Sequence, residues 1–475
     1  MVLEEQTPET KDLPGSDADQ QHHELQTDVH LDKDFVQTLQ YALRKDDETK
    51  VLELLEEVHA ADVADILEVL SSGQRAKLIA LIGANFPPEV LSEIEGEAQD
   101  DLYEQLPNEQ IAEAVTEMET DDAVYVLEEL DDKDREEVLE QLPTDDRVAI
   151  EESLSYPEDS AGRLMQRDLF AIPEFWTVGQ TIDYLRSDSE DIPDDFYDVF
   201  IVDPTHKPIG SLPLSRILRT ERGRTIADIM RRDIFKIEAM ADQEEVAYQF
   251  SKYHLISASV VDDAGRLVGV ITVDDVVDVI GEEAEEDILA LGGVRDESGL
   301  NESFIEITRG RFTWLFVNLL TAILASAVIG MFEATIEQMV ALAVLMPIVA
   351  SMGGNAGTQT MTVSVRAIAT KELSSANAVR VLIREFTAAG VNGTALAIVS
   401  GLVAWFWFDS VMLGGVFAAA MIFNMVVAGL CGLLVPMGLY KLDIDPAISS
   451  SVFVTTITDV VGFFAFLGMA ALFLL

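Results

Sequence analysis

Beyond residue 311 the chain offers five apolar runs, at 312–331, 339–368, 386–408, 412–440 and 448–475, and these fix the class of fold. Each reaches or exceeds the roughly 20 residues needed to cross the hydrocarbon layer of a bilayer. The expectation is an α-helical transmembrane domain of five helices over 309–475. The connections set its direction. With the N-terminus inside, Arg309, Arg311, Arg366, Lys371, Arg380, Arg384 and Lys441 all flank the inner ends. The outer connections hold Glu333, Glu337 and Asp409 and no Lys or Arg. That asymmetry fits the positive-inside bias for an odd number of spans, and predicts a multi-pass protein of the cell membrane with its C-terminus outside.

The last run carries one acid, Asp459. An acid at that depth costs on the order of 3 kcal/mol unless it lines a wet cavity, so it is a functional candidate by default. Ser451, Thr455 and Asp459 fall at i, i+4 and i+8 and stack their oxygens on one helix face, with Gly462 one turn on. Such a stripe suits a hard divalent cation; the alternative is a protonated Asp, or one bonded to a neighbouring helix. In the second run Pro347 precedes Gly353-Gly354-Asn355-Ala356-Gly357-Thr358-Gln359. Proline and three glycines predict an interrupted helix whose freed carbonyls, with the Asn355 and Gln359 amides, supply further oxygen ligands. Close helix packing through Gly353 and Gly357 is the other reading of the same residues. Asp445-Pro446 reads as an N-cap with Pro at the first helical position, and Asn424 as an interhelical hydrogen-bonding residue.

Charge divides the chain. Of 31 basic and 85 acidic residues, 7 and 8 lie from Arg309 onward, leaving 24 basic against 77 acidic in residues 1–308. Nucleic acid is excluded as a partner, because phosphate binding needs clustered Lys and Arg. Two readings remain, a cation-binding regulatory surface and a halophilic surface that keeps a protein hydrated in strong salt; acid spread over the whole soluble half favours the second as background. Cys431, the one cysteine, lies in an apolar run, so no disulfide framework exists. The polar, acidic start shows no secretory signal, which predicts a cytoplasmic soluble half.

Residues 1–30, with His22, His23 and His30, read as a disordered acidic tail. Residues 31–158 form a helical domain in which the pattern of Asp62 to Leu70 returns from Asp122 to Leu130, predicting an all-α superhelical stack. A second repeat, α/β in character, spans 159–225 and 226–281. Leu164-Met165-Gln166-Arg167-Asp168 is echoed by Ile229-Met230-Arg231-Arg232-Asp233, each followed by two short β-branched strands. An acidic connecting helix is expected over 282–308, with Glu283, Glu286 and Asp287 on one face, where like charges repel unless neutralised.

The repeat over 159–281 resembles a tandem pair of CBS domains. Its second copy carries Gly269, Thr272 and Asp275 in the Gly-x-x-Thr-x-x-Asp pattern, which implies an adenine nucleotide site for ATP. The first copy departs from it, with Pro213 and Arg216. A dimerising module with an empty cleft is the alternative. Helical acidic domain, CBS pair, acidic connecting helix and five spans, in that order, resemble the MgtE family of magnesium channels along essentially the whole chain. The carrying motifs are Pro347 to Gln359, Asp445-Pro446-Ala447 and Thr455-Thr456-Ile457-Thr458-Asp459.

The resemblance implies a homodimer in the lipid bilayer with a Mg²⁺ pore on the two-fold axis, lined by the second and fifth spans. Asp459 would be the selectivity acid, two per pore. Gly353, Gly354 and Asn355 would line the pore, with Thr455 and Ser451 on the same stripe; Ser451 stands where family members can have Asn. Cytosolic Mg²⁺ would bridge acids matched here by Asp242, Glu244, Asp275, Asp278, Glu283 and Asp287, with Glu286 beside them, and hold the pore shut. Asp275 is thus claimed by both a nucleotide and a metal. Competing readings are a divalent cation exchanger of broader specificity, with Asp459 as a protonatable carrier, and a membrane-anchored nucleotide sensor that transports nothing. No nucleophile–base pair or phosphate loop points to an enzyme.

Overall fold

The computed structural model describes residues 33–475 apart from 57, 84–85, 188–191, 194–195, 295–303, 375 and 443. The expected tail with its histidines, and 295–303 of the expected connecting helix, lie outside the described residues. The chain divides into two compact units: residues to Met118 with Asp122–Arg147, and Glu119–Asp121 with Val148–Leu475.

Short helices follow one another from α1 (Lys33–Lys45) to α10 (Thr144–Leu154). Their starts are set locally, as where Ser71 and Gln74 form a capping box ahead of Ser72–Ile82. The repeat seen in the sequence has a physical basis. In α3 (Ala60–Val69) and its continuation, Val63, Ala64, Ile66, Leu67 and Leu70 are buried. In α8 (Thr120–Glu129) and its continuation, Ala123, Val124, Val126, Leu127 and Leu130 are buried. The same five offsets of a 3.6-residue period face inward in both copies.

Two three-stranded sheets follow. β1 (Ala171–Pro173), β2 (Asp198–Val202) and β3 (Pro208–Pro213) form one, and β4 (Lys236–Glu238), β5 (Ser257–Val261) and β6 (Leu267–Thr272) the other. In each the first pair is parallel and the second antiparallel, and the register slips at the same point, Ile201/Val202 and Val260/Val261. The boundary expected at 225/226 does not separate the two cores. Ala161 and Met165 pack in the second core with Ile237, Val246 and Ile271. Ile226, Ile229 and Met230 pack in the first with Phe170, Val199 and Leu212. Each copy's entry segment is therefore seated in its neighbour. Gln166 exchanges backbone hydrogen bonds with Val270 at 2.8 and 3.0 Å, and Ser211 with Arg231 at 3.0 Å each way.

The copies differ at their exits. After β3, Pro213 starts the short α12 (Leu214–Leu218). After β6, Thr272 and Asp275 form a capping box on α15 (Val273–Leu291), 19 residues long. The acidic connecting helix expected to begin at 282 is thus not a separate element: it is the second half of α15. Its glycine, Gly281, costs a helix about 1 kcal/mol, and the seating of Val276 and Val279 in the sheet core continues the helix into it.

The membrane part comprises α16 (Phe304–Gly330), the short α17 (Glu333–Gln338), α18 (Ala341–Ala369), α19 (Ala378–Phe408), α20 (Val411–Tyr440) and α21 (Pro446–Phe473). Five of these are long and apolar enough to cross a membrane. α20 packs against α18, α19 and α21, and Phe417 meets Phe466 edge to face at 5.5 Å in the core. The interruption expected in the second span is absent. α18 runs unbroken through Pro347 and Gly353 to Gly357. Pro347, the seventh residue of the helix, forfeits the one backbone bond to Ala343 without ending it, and the glycines are points of contact. A Cβ on Gly357 would lie 2.6 Å from a methyl of Val454, and one on Gly432 2.6 Å from the Gly357 carbonyl oxygen.

Candidate ion path and regulatory acids

α21 begins where the Asp445 carboxylate accepts from the Ala447 backbone N–H at 2.7 Å, with Pro446 at the first turn. The Thr455 hydroxyl donates to the Ser451 carbonyl at 2.8 Å, Thr456 to Val452 at 2.6 Å and Thr458 to Thr455 at 2.9 Å. These hydroxyl protons are used inside the helix, and of the three Thr458 is fully buried. Thr455 is exposed in the protomer, and Ser451 and Asp459 are half-buried. Gly462 leaves the stripe: it is buried against Asn424. On α18, Gly353 is buried, space is open beside Gly354, and Asn355, Thr358 and Gln359 are exposed. Both helices therefore present polar groups on open faces at membrane depth. Asn424 is fully buried, and its Nδ2 donates to the Val349 carbonyl at 2.9 Å, as expected of an interhelical residue.

Of the acids expected to sense metal, Asp242, Glu244, Glu283 and Asp287 gather in one group and Asp275 in a second. In the first, Asp242 caps α14 (Gln243–Tyr253), accepting from the Glu244 N–H at 2.9 Å. Glu283 accepts from the Gln243 side chain at 3.0 Å. Burial, then the carboxylates of Glu283 and Asp242, push the Glu244 carboxyl above its ordinary range, against the pull of Lys371. Burial likewise raises Glu283, helped by Asp242, Asp159 and Asp287 and opposed by the Gln243 bond. Burial and then Asp445 raise Asp287. Glu283, Glu286 and Asp287 are all half-buried whereas Glu282 and Glu285 are exposed, which bears out the predicted face.

In the second group, Glu119, Asp121 and Asp275 bring one carboxylate oxygen each within 4.8 Å of one another. The Gln166 amide donates to Glu119 and, at 3.4 Å, to Asp275. Burial raises the Asp275 carboxyl, while bonds from Thr272 hold it down. Asp278 joins neither group; it faces solvent beside Asp274. Gly269, Thr272 and Asp275 each have a packing or capping task as well. A Cβ on Gly269 would strike the Met165 sulfur at 2.6 Å. Asp275 accepts from the Thr272 hydroxyl at 2.7 Å and its N–H at 3.2 Å.

Comparison with known proteins places this architecture. The magnesium transporter MgtE of Thermus thermophilus is 31% identical over 444 residues, 92% of this chain and 98% of that protein. The magnesium transporter MgtE of Bacillus subtilis is 31% identical over 328 residues, 69% of this chain and 72% of that protein. The chain belongs to the MgtE family. Family models for a divalent cation transporter, the MgtE intracellular N domain and a CBS domain match residues 346–469, 58–159 and 226–282. A crystal structure of the cytosolic domain of the Mg²⁺ channel MgtE in complex with ATP is 31% identical. It covers 51% of this chain and 99% of that one, with a TM-score of 0.47.

Within the MgtE frame, four acids were not singled out as ligands by the sequence: Glu119, Asp121, Asp159 and Asp445. Asp445 was legible as a cap, and the cap is real. That it also faces Asp287 depends on how α15 meets α21, which no local pattern encodes. Glu119 and Asp121 lie in a soluble half rich in acid throughout, so no compositional signal separates them.

Proposed function

We propose that this chain carries Mg²⁺ across the cell membrane as a homodimer, with α18 and α21 of each copy lining the path and Asp459 facing the ion. One observation carries the reading: Asn355, Thr358, Gln359 and Thr455 are exposed, and Asp459 half-exposed, within apolar spans. Such groups are costly against lipid and belong on a wet path or beside a second copy. Mg²⁺ sheds water reluctantly and prefers octahedral oxygen sites. Two carboxylates across a two-fold axis, with hydroxyl and amide oxygens beside them, would hold it hydrated, attracting it without trapping it. The basic residues at the inner ends support an external C-terminus.

Regulation follows from the acids. The two groups present oxygen ligands of the kind Mg²⁺ takes. An octahedral ion with ligands at about 2.1 Å sets opposite oxygens about 4.2 Å apart, compatible with the spacing of Glu119, Asp121 and Asp275. Without a divalent ion the carboxylates repel; with one they pack, drawing α14 and α15 together. The far end of α15 is well situated to act on the path, since Ala290 and Leu291 pack with Met361 and Val365 of α18 and Ala447 and Val454 of α21. In strong salt the Debye length is about 3 Å at 1 M, so such a sensor works by direct coordination and not by long-range field. The capping and acid contacts of Asp275 support its metal role over a nucleotide role.

The test is Mg²⁺ uptake by liposomes holding the full chain, driven by an imposed voltage. Uptake is expected with the unchanged chain and lost with Asp459→Ala at equal folding and dimer content. Unchanged uptake by the variant would falsify the assignment, and uptake that follows a proton gradient but not voltage would establish an exchanger.

A further inference from the structure

We propose that Asn424 is a positioning residue of the ion path, whose carboxamide acts as a spacer between the two helices that line it. The inference rests on the assignment of α18 and α21 to that path. Asn424 belongs to α20, behind those helices, and is fully buried. Its Nδ2 donates to the Val349 carbonyl of α18 at 2.9 Å, one turn before Gly353. Its Oδ1 is buried without a hydrogen-bond partner. An apolar side chain at this place would bury no unpaired oxygen, so filling space does not by itself account for an amide here.

Sterics supply the account. A Cβ added to Gly353 would lie 2.1 Å from Asn424 Nδ2 and 2.8 Å from its Cγ. A Cβ added to Gly462 of α21 would lie 2.7 Å from the same Nδ2 and 3.1 Å from the same Cγ. The flat amide is thus seated between two glycines, one from each path-lining helix. Gly353 opens the Gly353-Gly354-Asn355 segment, and Gly462 follows Asp459 by less than one turn. The thickness of one planar group fixes how far apart these two segments stand. The Val349 bond keeps the plate from turning. Since a site that holds a hydrated ion discriminates by the spacing of its oxygens, the amide bears on which divalent cation passes as well as on how fast.

The experiment compares Mg²⁺, Mn²⁺ and Co²⁺ fluxes in liposomes for the unchanged chain, Asn424→Leu and Gly462→Ala. Assembly is checked by size exclusion and thermal transition. Asn424→Leu removes the bond and replaces the flat plate by a bulkier branched group; Gly462→Ala pushes on the plate while keeping the bond. The expected result is that at least one variant assembles normally and changes the Mg²⁺ to Mn²⁺ or Co²⁺ flux ratio by about three- to fifteenfold, the range set by one interhelical hydrogen bond in a membrane. Flux ratios and half-saturating concentrations equal to those of the unchanged chain would overturn the proposal. So would failure of both variants to assemble, which would assign Asn424 to folding alone. A chain that carries no Mg²⁺ even when unchanged would instead overturn the path itself.

Discussion

Asp459 and the acids beneath the membrane carry the same charge in opposite company. Asp459 stands as the one acid of α21, among hydroxyls and apolar side chains. Glu244, Glu283 and Asp287 stand with Asp242, Asp159 and Asp445 and raise one another's carboxyl values. In the proposed function, one ion has two effects for this reason. A single carboxylate per subunit attracts a hydrated cation and lets it go. A crowd of carboxylates is a loaded repulsion, and a cation that relieves it draws two helices together.

The comparison breaks most visibly at Asp459. Its replacement by Ala is expected to stop uptake outright, whereas the triple change Glu244→Gln, Glu283→Gln, Asp287→Asn is expected to leave uptake intact. That triple variant should instead need at least about tenfold more Mg²⁺ to protect α15 from protease, given two to three lost carboxylate ligands. An unchanged protection curve would remove these residues from the sensor.

Acidity sharpens the comparison. The carboxyls of Glu244, Glu283 and Asp287 are raised in the folded chain, so the packed arrangement takes up protons. Its stability is fully present below the ordinary carboxylate range and is lost as pH rises through the raised values. Asp242, Asp159 and Asp445 face these groups and add to the repulsion, while Lys371 opposes it at Glu244. Without Mg²⁺, protease protection of α15 should therefore weaken as pH rises from the ordinary carboxylate range towards 7.5. Weaker protection at the lower pH would contradict the assignment.

The smallest effect is expected at Lys371, which follows α18 in the left-handed region at φ 53°. Its ammonium pairs with Glu245 and lies 4.3 Å from the ring centre of Tyr248, both on α14. The same helix carries Glu244 one residue away, so α14 touches both an acid group and the inner end of α18. Lys371→Met keeps the stem and removes the charge. Because the pair is partly exposed, its loss should shift the Mg²⁺ concentration for half-inhibition of uptake by only about twofold. A shift as large as that of the triple variant would make Lys371 part of the sensor.

Much of this was legible in the sequence. The spans, the two repeats and the stripe of Ser451, Thr455 and Asp459 follow from periodicities of 3.6 and 2 that the structure obeys. The unbroken course of the second span was not. Glycine at a helix break and glycine at a helix contact look alike in one dimension, and only the Asn424 amide and the Val454 methyl reveal which this is. The exchange of Met165 and Met230 between sheets escaped for a similar reason. The repeat marks both segments clearly, but nothing in either says which core it enters. Asp275 fits a nucleotide motif, a capping box and a metal group alike, and three-dimensional neighbours weigh among them.

α15 carries one further consequence. At 19 residues without a joint, it is a rod of about 28 Å, clamped at its root by Thr272 and Asp275 and resting its tip among the inner ends of α18 and α21. A rocking of about 5° at the root sweeps the tip through about 2.5 Å, close to the diameter of one water molecule. In the proposed function this gives leverage: a small adjustment at the Asp275 root would reach the mouth as a stroke comparable to a single hydration shell.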